Sequence, residues 1–118
     1  MNKPYHSFSV QSSSWDEIAV GFDPAHTPGM LTFIEWLRNS KYAFGLFAVT
    51  SLDILVIGQT EHFELHRNVI RLEEVGEKFH LTFRECETAE STGTFEKTEI
   101  IPAFERLLSS LRWFSIND

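Results

Sequence analysis

The segment at residues 62–66 reads His-Phe-Glu-Leu-His and contains three potential metal ligands. It differs from the zinc-protease pattern, in which Glu directly follows the first His and both His lie on one helix. Here polar and apolar residues alternate, which is typical of a strand, and residues four apart on a strand are about 13 Å apart. His62 and His66 therefore cannot share one ion, although either of them with Glu64, and His80 from a neighbouring strand, could still form a site. We expect these side chains to occupy the outer face of a half-buried strand, and we predict no metal site.

The nucleophiles lack the neighbours that nucleophilic catalysis requires, namely a base within hydrogen-bond reach and a group that orients this base. Cys86 lies between Glu85 and Glu87, whose negative charge is expected to raise the pKa of the thiol and to disfavour the reactive thiolate. No serine lies in a G-x-S-x-G turn, and neither G-x-G-x-x-G nor G-x-x-x-x-G-K occurs. The sequence therefore predicts no catalytic residue and no cofactor, so we expect a protein that is not an enzyme.

Three carboxylates, Glu73, Glu74 and Glu77, surround a predicted hairpin turn. Water screens charges at such a turn, whereas acid–base catalysis needs a carboxyl group that is buried in a cleft. We therefore expect all three to be ordinary surface residues.

The chain is acidic, with a formal net charge of −7. Because nucleic acid is a polyanion that binds through Lys and Arg, direct binding to it is disfavoured. The acidity is concentrated in residues 61–99, which carry ten acids and five bases, and it is densest over residues 85–99, which carry five Glu against Lys97. Such a cluster is either a solvated face that aids solubility or a docking surface for a basic partner.

Length and composition indicate a single domain, residues 1–118, in a reducing compartment. The length fits one domain, and no linker divides the chain. The single cysteine excludes an intrachain disulfide, and residues 1–11 contain one basic residue, Lys3, and no apolar run of the kind that a secretory signal needs. The longest apolar-rich run, Tyr42 to Gly58, is too short and too polar to span a bilayer. We expect a soluble cytoplasmic protein that does not enter the membrane.

The first quarter of the chain predicts two strands and one helix. Apolar and polar residues alternate over residues 6–10 and again over residues 18–22, which is typical of a half-buried hairpin. Thr27-Pro28 is a helix start, with a hydroxyl residue at the N-cap and Pro in the first position. Apolar residues then recur with helical spacing until Asn39-Ser40.

The middle of the chain predicts four strands. Residues 43–49 and 52–57 are apolar at nearly every position, as in a central strand that is covered on both faces. Residues 61–74 alternate but shift phase near Asn68, which indicates a bulge or a break. Residues 74–77 form a turn that leads into a further strand through residue 83.

The last third predicts an exposed loop or ragged edge over residues 85–94, a short strand over residues 95–101, and a helix that Pro102 opens. In helical phase, Trp113 points away from the apolar stripe of this helix, so with Phe114 and Ile116 it would form an exposed apolar patch. Together these elements predict an α+β fold, in which two helices pack on an antiparallel, meander-like sheet of about five to seven strands.

This profile resembles that of the bacterial immunity proteins that neutralise the toxins of contact-dependent growth inhibition and related polymorphic toxin systems. The resemblance is one of type: a compact acidic α+β domain with one cysteine, no catalytic motif and concentrated acidity. It implies a cytoplasmic protein that docks on a cognate toxin, often a nuclease with a basic cleft, whose phosphate-binding groups an acidic surface would mimic. We expect seven residues to contact this partner: Glu73, Glu74, Glu77, Glu85, Glu87, Glu90 and Trp113.

Two other classes of function fit the same sequence. One is a small-molecule-binding or enzymatic domain, with a pocket on the concave sheet face that is lined by Phe and Trp and carries a His or Asp at its mouth. The other is a structural or adaptor subunit that oligomerises through sheet edges or through the C-terminal helix.

Overall fold

The computed structural model describes residues 9–86 and 88–113 and contains two antiparallel sheets, with helices packed on the larger one. The predicted α+β class is confirmed, and the described residues form three α-helices where the sequence predicted two. A 3₁₀ helix, Lys41–Phe44, joins the second helix to the large sheet. The remaining elements, in chain order, are β1 (Ser9–Gln11), α1 (Trp15–Val20), α2 (Pro28–Arg38), β2 (Phe47–Ser51), β3 (Ile54–Gly58), β4 (His62–Glu64), β5 (Val69–Val75), β6 (Lys78–Cys86), β7 (Ala89–Glu96) and α3 (Ile100–Leu111).

The large sheet has the strand order β2-β3-β5-β6-β7, and every neighbouring pair is antiparallel. The chain therefore meanders across this sheet, and it leaves the sheet once, between β3 and β5, where β4 pairs with β1 in the two-stranded sheet. Two-residue turns connect β2 to β3 and β5 to β6, and Gly76 in the second turn has a φ of 62° that favours glycine. β2 and β7 are the two edges of the large sheet.

Two apolar clusters cover the two faces of the large sheet. On one face the helices pack on a core that is rich in aromatic rings, in which Phe33 of α2 contacts Phe104 of α3 edge-to-face with ring centroids 5.1 Å apart. On the other face, Phe63 of the two-stranded sheet packs with Val56 and Val69. Towards β6 and β7 this second face instead carries polar side chains that are exposed or half-buried. We call this polar part the open face, and its members are Arg71, Glu73, His80, Thr82, Arg84, Glu90 and Thr92.

Helix α1 occupies the region where alternation predicted a second strand, so that prediction is wrong. Ser14 and Glu17 form a reciprocal capping box: the Glu17 N–H donates to the Ser14 hydroxyl (3.2 Å), and the Ser14 N–H donates to the Glu17 carboxylate (2.9 Å). Ile18 and Phe22, four residues apart, are buried, whereas Val20 between them is 85% exposed. The same stretch also has a helical period, because Trp15, Ile18, Ala19 and Phe22 recur at i, i+3, i+4 and i+7 and pack on the core. The cap favours the helix.

The predicted helix at Pro28 is confirmed as α2, but its cap differs from the expected one. The Thr27 hydroxyl donates to the carbonyl of Asp23 (2.8 Å) instead of accepting from the helix. The first amides of α2 bind a carboxylate from β5, described below.

The apolar runs of the middle region form strands with shifted bounds. Residues 43 and 44 belong to the 3₁₀ helix, and β2 lies at the edge of the sheet, not at its centre. It is nevertheless covered on both faces, because Ala48 packs in the main core and Val49 against the second cluster. The phase shift near Asn68 is a break: Asn68 has a φ of 53°, and the segments before and after it belong to different sheets.

Of the two alternatives predicted for residues 85–94, the exposed loop is wrong and the sheet edge is present, because β6 continues to Cys86 and β7, the edge strand, begins at Ala89. The strand predicted for residues 95–101 is only the end of β7, and α3 begins at Ile100. Backbone pairing with β6 needs no apolar period, and the hydroxyls of Thr82 and Thr92, directly opposite each other, lie 3.0 Å apart. The strand predicted for residues 6–10 lies largely outside the described residues. Its described end, β1, pairs with β4 and not with residues 18–22.

Candidate functional site

The open face holds a groove of about 200 Å³ in which residues from four neighbouring strands meet. Alternation along β5, β6 and β7 places Glu73 directly opposite His80, and Arg71 directly opposite Thr82. The lining residues are Ile54, Arg71, Glu73, His80, Thr82 and Glu90. The strand register thus brings Glu73 and Glu90, two of the carboxylates that the sequence singled out, to one concavity.

The acidic residues of β5, β6, β7 and the β5–β6 turn divide into two groups. Glu77 and Glu96 lie 3.8 Å and 3.5 Å from the ammonium groups of Lys97 and Lys78. A second group of three, Glu73, Glu85 and Glu90, is exposed, and within the described residues none of them has a cation within ion-pair distance. Arg71 and Arg84 lie on the same open face, with Arg84 directly opposite Glu90 in the register. The three carboxylates nevertheless form no ion pair within this part of the chain, and they are available to cations of a partner.

Glu74 is buried, so the expectation that it belongs to an exposed surface is wrong. Its side chain is 1% exposed and points to the helix side of the sheet. The N–H groups of Gly29 and Met30, in the first turn of α2, donate to its two oxygens over 3.1 Å and 2.7 Å, and Lys97 lies 2.9 Å away. A carboxylate at this place satisfies free amides and the positive end of the helix dipole, so Glu74 is a structural residue.

The hydrogen bond to Glu74 also changes the titration of its cation. It raises the pKa of Lys97 above the usual value of 10.5, with the charges of Glu74 and Glu77 acting in the same direction.

Trp113 does not continue the phase of α3, so its predicted position on the solvent side is wrong. Arg112 adopts the left-handed conformation (φ 60°) and ends the helix, and the Trp113 N–H donates back to the carbonyl of Leu108 (3.1 Å). The indole is thereby turned onto Phe83, with ring centroids 6.2 Å apart at 81°, and is half-buried. The other two members of the predicted apolar patch, Phe114 and Ile116, lie outside the described residues. So does Glu87, one of the carboxylates predicted to contact the partner.

A second groove, of about 350 Å³, lies between the β7 edge and α3. Its apolar walls are Phe83, Phe95 and Leu107, and Arg106 and Ser110 of α3 add polar groups. The sequence did not predict this groove, because it predicts an exposed loop or ragged edge over residues 85–94 and a strand only from residue 95 onwards. The alternation of Phe95 with Thr94 and Glu96 is the signal in the sequence of a strand that begins earlier.

The histidines considered as metal ligands are divided between two sheets. His62 and Glu64 belong to β4 in the small sheet, whereas His80 belongs to β6. Among residues 9–86 and 88–113, no group of three His, Cys, Asp or Glu side chains is close enough to hold a metal ion.

The environment of Cys86 differs from the expected one. Hydrogen bonds from the side chain and backbone of Thr88 lower the pKa of the Cys86 thiol, and they outweigh the opposing charge of Glu85. The prediction of a raised pKa is therefore wrong. The Thr88 hydroxyl, 3.5 Å from Sγ, is a hydrogen-bonding group and not a general base.

No family model, curated protein or solved structure matches this chain. The longest helix of the described part, α3, has 12 residues, and none of the helices there has the length and apolar character that crossing a membrane requires.

Proposed function

We propose that this chain is a non-catalytic, cytoplasmic, protein-binding domain of the immunity type, which neutralises a cognate toxin. It docks the open face and the adjoining β6–β7 end of its sheet on a basic surface of the toxin. Of the seven residues predicted to contact this partner, Glu73, Glu90 and Glu85 are the ones that we now place at the centre of the interface.

One observation carries the proposal: these three carboxylates are exposed and form no ion pair among the described residues, whereas the nearby Glu74, Glu77 and Glu96 are paired with lysines. Exposed carboxylates aid the solubility of any domain. A binding domain gains faster encounter and partner selection from them, since like charges on a wrong partner are repelled.

The direct test is neutralisation in cells. The genes next to the one that encodes this chain are searched for a large secreted protein, the C-terminal domain of any such protein is co-expressed with the chain, and growth and co-purification are measured. We expect restored growth and a stable complex. Loss of growth despite full expression of the folded chain would overturn the proposed function.

A charge-reversal pair tests whether the open face is the docking surface. Glu73→Lys with Glu90→Lys should slow association with the toxin about tenfold or more at low salt, and the effect should shrink as salt is added. The matched control, Asp53→Lys with Glu61→Lys, changes net charge equally at exposed positions elsewhere and should slow association much less. Equal slowing by both pairs would show that net charge, and not this surface, governs encounter.

The small-molecule alternative is favoured by one observation, the groove beside α3 with its two Phe walls. If this groove binds a small molecule, a fragment screen by NMR should shift the signals of Phe83, Phe95 and Leu107 together. Fragments that shift none of these signals would leave the groove free for a protein ligand.

A further inference from the structure

Strand β7 leaves one side of its backbone unpaired within the described part of the chain, because it is the last strand in the sheet order. The register shows which groups are free. Val75 and Lys78 flank a two-residue turn and form a hydrogen-bonded pair, and in antiparallel sheets hydrogen-bonded and non-hydrogen-bonded pairs alternate. In β6, Phe79 and every second residue after it therefore bond to β7.

The partners of those β6 residues in β7 are Ser91, Gly93 and Phe95. The residues between them, Thr92 and Thr94, together with the flanking Glu90, therefore direct their N–H and C=O groups away from the sheet. Glu96 is not free, because its N–H donates to the Glu99 carboxylate (3.4 Å) and its C=O accepts from the Glu99 N–H (2.9 Å). Three residues at alternating positions thus offer donors and acceptors to an added strand.

The two faces of this edge differ in chemistry. On the open face, the side chains along β7 are Glu90, Thr92, Thr94 and Glu96, with a carboxylate at each end. On the opposite face, the small residues Ser91 and Gly93 leave room for the groove beside α3. A strand added here would meet acids and hydroxyls on one face and an apolar groove on the other.

We propose that β7 is a strand-addition site, which binds an extended segment of a basic protein partner antiparallel to β7. This segment places Lys or Arg opposite Glu90, which forms no ion pair among the described residues, and it directs its alternate, apolar side chains into the groove beside α3. Backbone hydrogen bonds supply the affinity, and the alternation supplies the specificity. The basic character of the partner rests on the proposed function, whereas the free edge and the groove do not.

A second copy of this chain is the competing occupant of the edge. Two copies of β7 paired antiparallel about Thr92 bring outward groups of both copies together, but they place Glu90 of each copy opposite Thr94 of the other, so the charge of Glu90 gains no partner. A shift by one residue places outward groups opposite inward ones and brings the groove face of one copy to the open face of the other. Lys or Arg on a different chain gives Glu90 an opposite charge.

An eight-residue peptide that alternates Lys or Thr with Val (KVTVTVKV) serves as the probe, because its register places a Lys opposite Glu90. Amide signals of the isotope-labelled full chain are followed as peptide is added. We expect the Thr92 and Thr94 amides to shift and their exchange with solvent to slow at least about tenfold. No change up to about 1 mM peptide would overturn the proposal. So would concentration-dependent protection of these amides without peptide, because a second copy would then occupy the edge.

Matched peptides separate strand pairing from charge attraction without altering the protein. N-methylation at the third and fifth residues removes the amides that face β7 and should weaken binding about tenfold or more. N-methylation at the fourth and sixth residues removes amides that face away and should leave binding nearly unchanged. Equal effects of both peptides would overturn strand addition.

Variants of the protein connect this site to the toxin. Thr92→Pro removes the outward N–H and the hydroxyl contact with Thr82, and Thr92→Val, which removes only the hydroxyl, is its control. Because proline is tolerated at sheet edges, both variants should keep the circular dichroism spectrum, and only Thr92→Pro should lose the peptide. If the peptide does not bind while Glu73→Lys with Glu90→Lys still weakens toxin binding, strand addition is wrong and the proposed function stands. If the peptide binds but the chain gives no protection from toxin, the proposed function is wrong and the edge site stands.

Discussion

Glu74 provides the sharpest test of how this fold is held together, because its neighbour Glu73 is a matched control. Both are glutamates in the same strand, but Glu73 is exposed on the open face, whereas Glu74 is 1% exposed and binds α2. Glu74→Ala removes the acceptor of two charge-assisted bonds, those from Gly29 and Met30. Each such bond contributes about 1.5–3 kcal/mol to stability.

Water can enter the space that the shorter side chain leaves, so the lower end of this range applies, and Lys97 can turn to solvent. We therefore expect Glu74→Ala to lower the free energy of unfolding by about 3 kcal/mol out of a total of about 5–15 kcal/mol. Glu74→Gln keeps the shape and one acceptor oxygen and should cost about 1–2 kcal/mol. Glu73→Ala, at the exposed control position, should change stability by about 0.5 kcal/mol or less.

The assay is equilibrium unfolding in urea, followed by far-ultraviolet circular dichroism, with the four proteins compared at the same m-value. Equal losses for Glu74→Ala and Glu73→Ala would refute the argument, since the carboxylate of Glu74 would then contribute nothing to the docking of α2 on the sheet.

Three further predictions follow from other contacts. Because the pKa of Lys97 is raised in the folded chain, its stabilising contact is complete below about pH 10.5 and is lost as pH rises through the higher folded-state pKa. In thermal unfolding, raising the pH above about 11 should therefore lower the melting temperature of the native chain more than that of the Lys97→Met variant. Parallel curves of melting temperature against pH would contradict this. Ser14→Ala should cost about 1 kcal/mol in urea unfolding, because the capping box of α1 is lost, and full stability would show that the cap is dispensable. Gly58→Ala should cost about 1–3 kcal/mol, because its Cβ would lie 2.6 Å from the ring of Phe63, and combining it with Phe63→Leu should recover part of the loss; a lack of recovery would locate the strain elsewhere.

Secondary structure could be predicted correctly wherever a few adjacent residues carried a strong signal. The helix at Pro28, the hairpin at residues 74–77 and the break at Asn68 were all predicted and are all present. Their signals are proline geometry, glycine conformation and a shift in alternation, which depend on a few adjacent residues.

The secondary-structure predictions were wrong where a short apolar pattern fits both a helix and a strand. They were also wrong where a strand is held by backbone hydrogen bonds and shows no apolar alternation. Residues 15–22 fit both periods, since Ile18, Val20 and Phe22 alternate whereas Trp15, Ile18, Ala19 and Phe22 follow a helical period, and the reciprocal bonds of Ser14 and Glu17 favour the helix. β7 has no apolar alternation to read, because an edge strand can be held by backbone bonds to β6 alone.

The sequence by itself determined the fold class, an acidic α+β domain with an antiparallel sheet, because periodicity and net charge are sums over many residues and tolerate local errors. Only the tertiary structure decided which carboxylates are exposed and which are buried. Glu73 and Glu74 are adjacent in sequence and identical in chemistry, yet successive side chains of a strand point to opposite faces of a sheet. One of them therefore lines the open groove, and the other binds a helix that begins 46 residues earlier in the chain.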